Sequence, residues 1–262
     1  MRVWQVDAFS DERYQGNPAG VIQVPDGFPA TAHMQDIAAR LALPTTAFVI
    51  PLDGGEFRIR WFTPRKELNV CGHATIATAW QLHEESRIRD GEWTTFHTGD
   101  GPLYTRRENG RMAIDLPRVE VADWPAPPGL EDALGTGIVR CTRASDDVLI
   151  EVKSQEAVAL LEPDFARLAQ IDCRGHIVTA RGDEPGTDFV SRTFFPALGV
   201  DEDQVCVSAH CKLGPYWQAE LHKDEMSTSQ LSARGGRLFV KVTEDRVQVS
   251  GTAKVQRVFD IG

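Results

Sequence analysis

Two thiols stand where thiols can do chemistry. In Asn69-Val70-Cys71-Gly72-His73-Ala74-Thr75-Ile76-Ala77-Thr78-Ala79-Trp80, a cysteine is followed at once by glycine and then by small and apolar residues. That order reads as a loop delivering Cys71 onto the start of a buried helix. Unpaired N–H groups and the positive dipole end at such a start stabilise a thiolate and attract a carboxylate. The stretch has an echo, because Val70-Cys71-Gly72-His73-Ala74 and Val205-Cys206-Val207-Ser208-Ala209 share the pattern Val-Cys-x-x-Ala. A thiol of ordinary pKa, about 8.5, lowered by a helix start is a suitable base near neutral pH. The competing reading of each cysteine is a small buried hydrophobe.

Around the thiols, Gly72-His73 and Ser208-Ala209 can offer backbone N–H groups to a substrate carboxylate. His73 reads as an orienting hydrogen-bond donor ahead of a ligand or base. Asp203 either holds a polar substrate group or caps its loop. Arg192 and Arg234 are candidate carboxylate partners, or arginines solvated at strand ends. Cys206-x3-His210-Cys211 lacks the spacing of a structural zinc site and has no second pair, so no metal is expected. Gly99-Asp100-Gly101 and Gly235-Gly236 lack the strand-to-helix setting of a phosphate loop.

These residues need a scaffold, and 262 residues with 42% hydrophobic content can build one large domain or two of ordinary size. The balance of 28 basic to 38 acidic residues, net −10, has the wrong sign for a nucleic-acid or anionic-membrane partner. The chain starts as a strand, without a charged-then-apolar leader or a run of about 18 apolar residues, which reads as a cytoplasmic protein. Five cysteines at irregular positions do not form a disulfide framework, and free thiols are expected.

Along the chain, Met1 to Phe9 alternates as a strand, and Val21-Ile22-Gln23-Val24 resumes one after a Gly/Pro-punctuated loop. Thr31 can cap a helix with Met34, Ile37, Ala38 and Leu41 on one face, ended by Leu43-Pro44. Thr45 to Leu52 and Phe57 to Phe62 read as a hairpin through Asp53-Gly54-Gly55. Trp93 to Thr98 and Arg111 to Leu116 follow as strands, with turns at Gly99-Asp100-Gly101-Pro102 and Asn109-Gly110. Trp124-Pro125-Ala126-Pro127-Pro128-Gly129-Leu130 is a Pro-rich surface stretch close to a boundary. Beyond it the programme repeats. Strands are expected at 138–141, 147–152, 176–180 and 188–195, with a helix at about 163–168. An acidic loop at 201–204 precedes Cys206 and an apolar segment to Leu221, and a hairpin of 232–242 with 246–253 closes the chain. The expected domains are 1–118, which a tail at about 254–262 can join, and 119–253.

Several of these runs together resemble the phenazine-biosynthesis PhzF-like family, nearly end to end and in order. They are Gln5-Val6-Asp7-Ala8-Phe9 with Gly16-Asn17-Pro18-Ala19, Thr46-Ala47-Phe48-Val49, Cys71-Gly72-His73-Ala74-Thr75, Asp188-Phe189-Val190-Ser191-Arg192, Ser208-Ala209-His210, Pro215-Tyr216-Trp217 and Ser232-Ala233-Arg234-Gly235-Gly236. The resemblance implies an α+β, diaminopimelate-epimerase-like fold of two pseudo-symmetric domains, each a barrel-like antiparallel sheet around a central helix. It implies an active site in a cleft between them, with Asn17 and Thr45 among the substrate-binding residues. It also implies a cofactor-independent isomerase, racemase or epimerase acting on a small carboxylate or amino acid, and a homodimer.

The departures from that family bear on mechanism. Its Ser-Glu-Thr-Ala-Phe segment carries an acid/base Glu, and here Pro44-Thr45-Thr46-Ala47-Phe48 puts Thr45 in that place. A threonine hydroxyl needs activation to act as a base near neutral pH. Its Asp-Pro-x-Thr-Gly-Ser-Ala segment reads Asp203-Gln204-Val205-Cys206-Val207-Ser208-Ala209, with branched Val207 for Gly. Cys206 for Thr is the informative change, because diaminopimelate epimerases and proline racemases carry one catalytic cysteine in each half. By that resemblance Cys71 and Cys206 are the acid/base pair, or one of them acts with His73 or Asp203 in a double-bond shift. The other reading is a catalytically idle relative that binds a small ligand or a partner chain.

Overall fold

Period-two alternation makes Arg2–Ala8 a strand (β1), and the chain returns beside it as Asn17–Gln23 (β2). The computed structural model describes residues 1–262, which divide into one unit of Met1–Leu116 with Ser250–Gly262 and another of Pro117–Val249. The first continues with helix α1 (Thr31–Leu41), β3 (Thr45–Pro51), β4 (Phe57–Phe62) and the short β5 (Glu67–Leu68). Helix α2 (Gly72–Glu84) follows, then β6 (Trp93–Thr98), β7 (Gly101–Glu108) and β8 (Arg111–Pro117). Thr31 is the first residue of α1 and does not cap it. Its hydroxyl instead accepts from Arg60 Nη2 at 3.0 Å, and the helix begins after Ala30 without a side-chain cap. The Asn109-Gly110 turn between β7 and β8 has φ of 50° and 74°, the left-handed pair that a two-residue hairpin turn demands.

Pairing in this unit is antiparallel for β1–β2, β3–β4, β6–β7 and β7–β8, and parallel for β2–β3 and β4–β6. A sheet antiparallel throughout was expected. Parallel neighbours need a crossover, and the two crossovers are made by α1 and α2. The α1 crossover covers one side of the sheet with Met34, Ile37 and Ala38 against Val3, Ile22, Phe48 and Phe62. The α2 crossover is enclosed, with His73 to Ala79, Gln81 and Leu82 all buried. Its small Ala and Thr residues let strands approach, and Thr75 and Thr78 satisfy their hydroxyls on the carbonyls of Cys71 and Ala74.

The second unit comprises β9 (Ala122–Asp123), α3 (Leu130–Leu134), β10 (Ile138–Ala144), β11 (Asp147–Val152), α4 (Gln155–Ala159) and α5 (Phe165–Leu168). Next come β12 (Gly175–Arg181), β13 (Phe189–Phe195), β14 (Val200–Asp203) and helix α6 (Val207–Leu221). The unit ends with β15 (Glu225–Gln230), β16 (Gly236–Val242) and β17 (Arg246–Gly251), after which β18 (Ala253–Asp260) pairs with β1 of the first unit. The pairing repeats that of the first unit. It is antiparallel for β10–β11, β12–β13 and β15–β16, and parallel for β11–β12 and β13–β15. Again the second crossover holds the long buried helix, α6, and a short strand precedes it. Ser232 to Gly235, read from sequence as strand, is a loop ahead of β16. No helix is long and apolar enough to cross a membrane.

Candidate functional site

Both cysteines occupy the residue just before a buried helix. Cys71 caps α2 and Cys206 caps α6, each with extended backbone and neither with a side-chain cap of its own. In both, the side chain four residues on binds the cysteine carbonyl: Thr75 Oγ1 donates to Cys71 at 2.7 Å, and His210 Nδ1 donates to Cys206 at 2.7 Å. In both, the sulfur meets the polar side chain two residues on. Cys71 Sγ is 3.5 Å from His73 Nδ1, and Cys206 Sγ is 3.3 Å from Ser208 Oγ. The sequence echo is thus a repeated local construction.

Cys71 has a further partner. Its thiol donates to Thr45 Oγ1 at 3.5 Å, from the first residue of β3, and both side chains are buried. Thr45, the residue standing where the family's glutamate is expected, therefore contacts the candidate nucleophilic sulfur directly. Burial lowers the His73 pKa from 6.5 to about 4, so at neutral pH this imidazole is uncharged and can only orient the thiol through a neutral ring nitrogen. Gly72 opens α2, and Asn17 is buried at the start of β2 opposite Ala8.

Cys206 departs from the sequence expectation of a depressed pKa. Burial, followed by the charge of Asp203, pushes this thiol above its ordinary value. The Ser208 hydroxyl, the Ala209 N–H and Arg174 act in the opposite direction and do not prevail. The helix start is present, but desolvation of a nearly enclosed sulfur outweighs it. At neutral pH Cys206 is a thiol, a proton donor before it is a base.

The loop that carries Cys206 is fastened by Gln230, which the sequence did not single out, and by Ser232 and Arg234. Gln230, fully buried at the end of β15, accepts from the Cys206 N–H at 2.9 Å and donates to Thr193 Oγ1 at 3.0 Å and to the Asp203 carbonyl at 2.5 Å. Ser232 Oγ donates to the Gln204 carbonyl, and the Arg234 N–H donates to Gln204 Oε1. Arg234 itself is half-buried beside these bonds.

Arg192 is not a substrate partner. Its Nε and Nη2 clasp Glu202 at 2.7 and 2.9 Å, and Nη1 donates to the Leu161 carbonyl at 2.7 Å, which commits the whole fork to the protein. That clasp also turns the expected acidic loop into strand β14, paired to β13 through Thr193 and Asp203. The basic group near Cys206 is Arg174, just ahead of β12, whose Nη2 lies 3.4 Å from Ser208 Oγ. Nothing in its local sequence marks it, since its partners Asp147 and Ser208 lie on other elements.

Comparison with known proteins identifies the family and the fold. The model of the PhzC-PhzF family, phenazine biosynthesis-like protein, matches residues 6–257. A Pseudomonas aeruginosa relative named an uncharacterized isomerase is 43% identical, over 97% of this chain and 95% of its own. The crystal structure of an Enterococcus faecalis PhzF-family protein superposes with a TM-score of 0.92 at 40% identity, covering 98% of this chain and 97% of that one. A probable proline racemase from Agrobacterium radiobacter shares the fold alone, with a TM-score of 0.64 at 11% identity over 100% of this chain and 92% of that one. The α+β fold is therefore the one common to PhzF proteins and the proline racemase and diaminopimelate epimerase type. The chain belongs to the PhzC-PhzF family of phenazine biosynthesis-like proteins.

Proposed function

We propose that the protein is an isomerase that moves a proton at, or vinylogous to, the α-carbon of a small carboxylate or amino acid, with Cys71 and Cys206 as the proton-transfer groups. The observation that carries this reading is the repeated construction of the two thiols. Each caps a buried helix, has its carbonyl held by the residue four on, and sets its sulfur against a polar side chain two on. A family relative named as an isomerase supports the reaction class.

In the proposed reaction the Cys71 thiolate takes the proton from carbon and becomes a thiol. Thr45 Oγ1 and neutral His73 steady the sulfur before and after. The electron pair left on carbon delocalises into the adjacent carboxylate or through a conjugated double bond. Cys206, kept protonated by burial, gives its proton to the opposite face or to the far end of the double bond and becomes the thiolate. Protons and charge balance, no redox change occurs, and the step needs no cofactor. Asp203 tunes this exchange through its charge on Cys206. Gly72, Ser208 and Ala209 offer helix-start N–H groups to the substrate carboxylate.

The test is to incubate the protein in D2O with a panel of amino acids and unsaturated carboxylic acids and to read each compound by mass spectrometry. Uptake of a solvent deuteron into one class of acid is the expected result. An unlabelled panel spanning both classes contradicts the reading.

A further inference from the structure

Beside Cys206 the second unit contains a cationic construction that neither thiol explains. Asp147, at the start of β11, has a side chain with no exposure at all, yet two cations meet it. Arg174 donates through Nε to Oδ1 at 2.9 Å and through Nη2 to Oδ2, and Lys212 of α6 donates to Oδ2 as well. The other nearby carboxylate, Asp146, is 57% exposed and lies 3.3 Å from Arg174 and 3.5 Å from Lys212. Ion pairs that solvated are weak. Within the cluster, the one fully buried carboxylate meets both cations.

The arginine is also cradled. Its guanidinium lies over the Phe195 ring at 5.1 Å from the centroid. Gly175 makes room for that ring, since a Cβ there would stand 2.2 Å from it. A rigid fork on an aromatic floor is preorganised for a planar anion. Of its nitrogens, Nη1 donates to no protein atom, and Nη2 reaches Ser208 Oγ, which touches the Cys206 sulfur. The side chain is 31% exposed, so the free edge of the fork is accessible.

We propose that Arg174 and Ser208 form the anion subsite of the Cys206 half of the site, taking a planar carboxylate, with Asp147 and Lys212 as the frame that holds the guanidinium in place. In naming that carboxylate as the substrate's, the inference rests on the isomerase reading above. The anion preference itself does not.

A charge-selective probe of Cys206 tests it without turnover. Cys206 is alkylated with iodoacetate, a carboxylate, and with iodoacetamide, its neutral counterpart, and the two rates are compared by peptide mass spectrometry at low ionic strength. Arg174→Gln should lower the iodoacetate-to-iodoacetamide ratio about tenfold, with Arg174→Lys, which keeps a charge on Asp147 but loses the fork, falling between. Lys223→Gln removes an exposed cation beyond the far end of α6 and should leave the ratio unchanged. Acetate should also slow iodoacetamide labelling of Cys206 in the wild-type protein, relative to chloride at equal ionic strength, and not in Arg174→Gln. An unchanged ratio in Arg174→Gln, an equal fall in Lys223→Gln, or acetate protection that persists in Arg174→Gln each overturns the subsite. Deuterium exchange can fail while this ratio holds, or the reverse, so the two proposals are judged separately.

Discussion

Cys206 is held in place by an amide that has no spare bonds. Gln230 uses its oxygen for the Cys206 N–H and its nitrogen for Thr193 and Asp203, in a position without water access. Gln230→Leu is therefore expected to leave several buried polar groups unmatched and to destabilise the protein by about 3 kcal/mol, read as a shift of the urea midpoint. A loss below about 0.5 kcal/mol would show that these bonds do not fasten the loop. On the other thiol, the Thr45 hydroxyl is the contact that the family's glutamate position makes here. Thr45→Val, nearly equal in shape, should slow iodoacetamide labelling of Cys71 about fivefold at neutral pH by removing a hydrogen bond to the thiolate. Labelling at the wild-type rate would show that Thr45 does not act on the sulfur. Residues of this kind divide by legibility. Cys71, His73 and Ser208 could be read because the chemistry lies within a few positions of one chain. Gln230 and Arg174 could not, because the hydrogen-bond partners of their side chains are at least 24 and 27 residues away and no short pattern encodes such pairs.

Helix α6 shows how an element is shaped by what encloses it. Gly214 lies in its interior, where alanine ordinarily stabilises a helix by about 1 kcal/mol. Here a Cβ would meet Val240 at 2.9 Å, Val242 at 3.1 Å and Val247 at 3.3 Å, all from strands packed on the helix. Gly214→Ala is thus expected to destabilise by about 1–3 kcal/mol despite its better propensity, because overpacking outweighs the backbone gain. A higher melting temperature in that variant would show that the strands can yield. Both long helices were readable from their Val-Cys entries and apolar composition. Strand β14 was not, since Val200 to Asp203 is acidic and its strand form depends on Arg192 clasping Glu202 from β13. The cap of α1 was misread for a similar reason, as the Thr31 hydroxyl is engaged by Arg60 of β4.

At the scale of the molecule, two units run the same pairing programme around one buried helix each, and both bury histidines. His73 in the first unit and His176 and His210 in the second have pKa values lowered by burial from 6.5 to about 4. Between those values the unfolded chain binds more protons than the folded one, so acid favours unfolding. Their cost is absent above about pH 6.5, grows as the pH falls, and is complete below about pH 4, at roughly 3 kcal/mol for each histidine. The melting temperature should therefore drop steeply from pH 6.5 to 4, and a flat profile over that range would contradict burial of the three rings as neutral groups. The repeat was visible in sequence as strands and turns recurring beyond Pro117, whereas the parallel joins were not, because alternation alone does not report strand direction. In the proposed reaction Cys71 and Cys206 are the proton-transfer groups. The most direct measurement is solvent deuterium incorporation into the substrate acid by the wild-type protein, Cys71→Ser and Cys206→Ser side by side. Exchange is expected in the wild type, with a fall of at least about 100-fold in each variant. Undiminished exchange in both would contradict that assignment and would move the proton transfer to other groups.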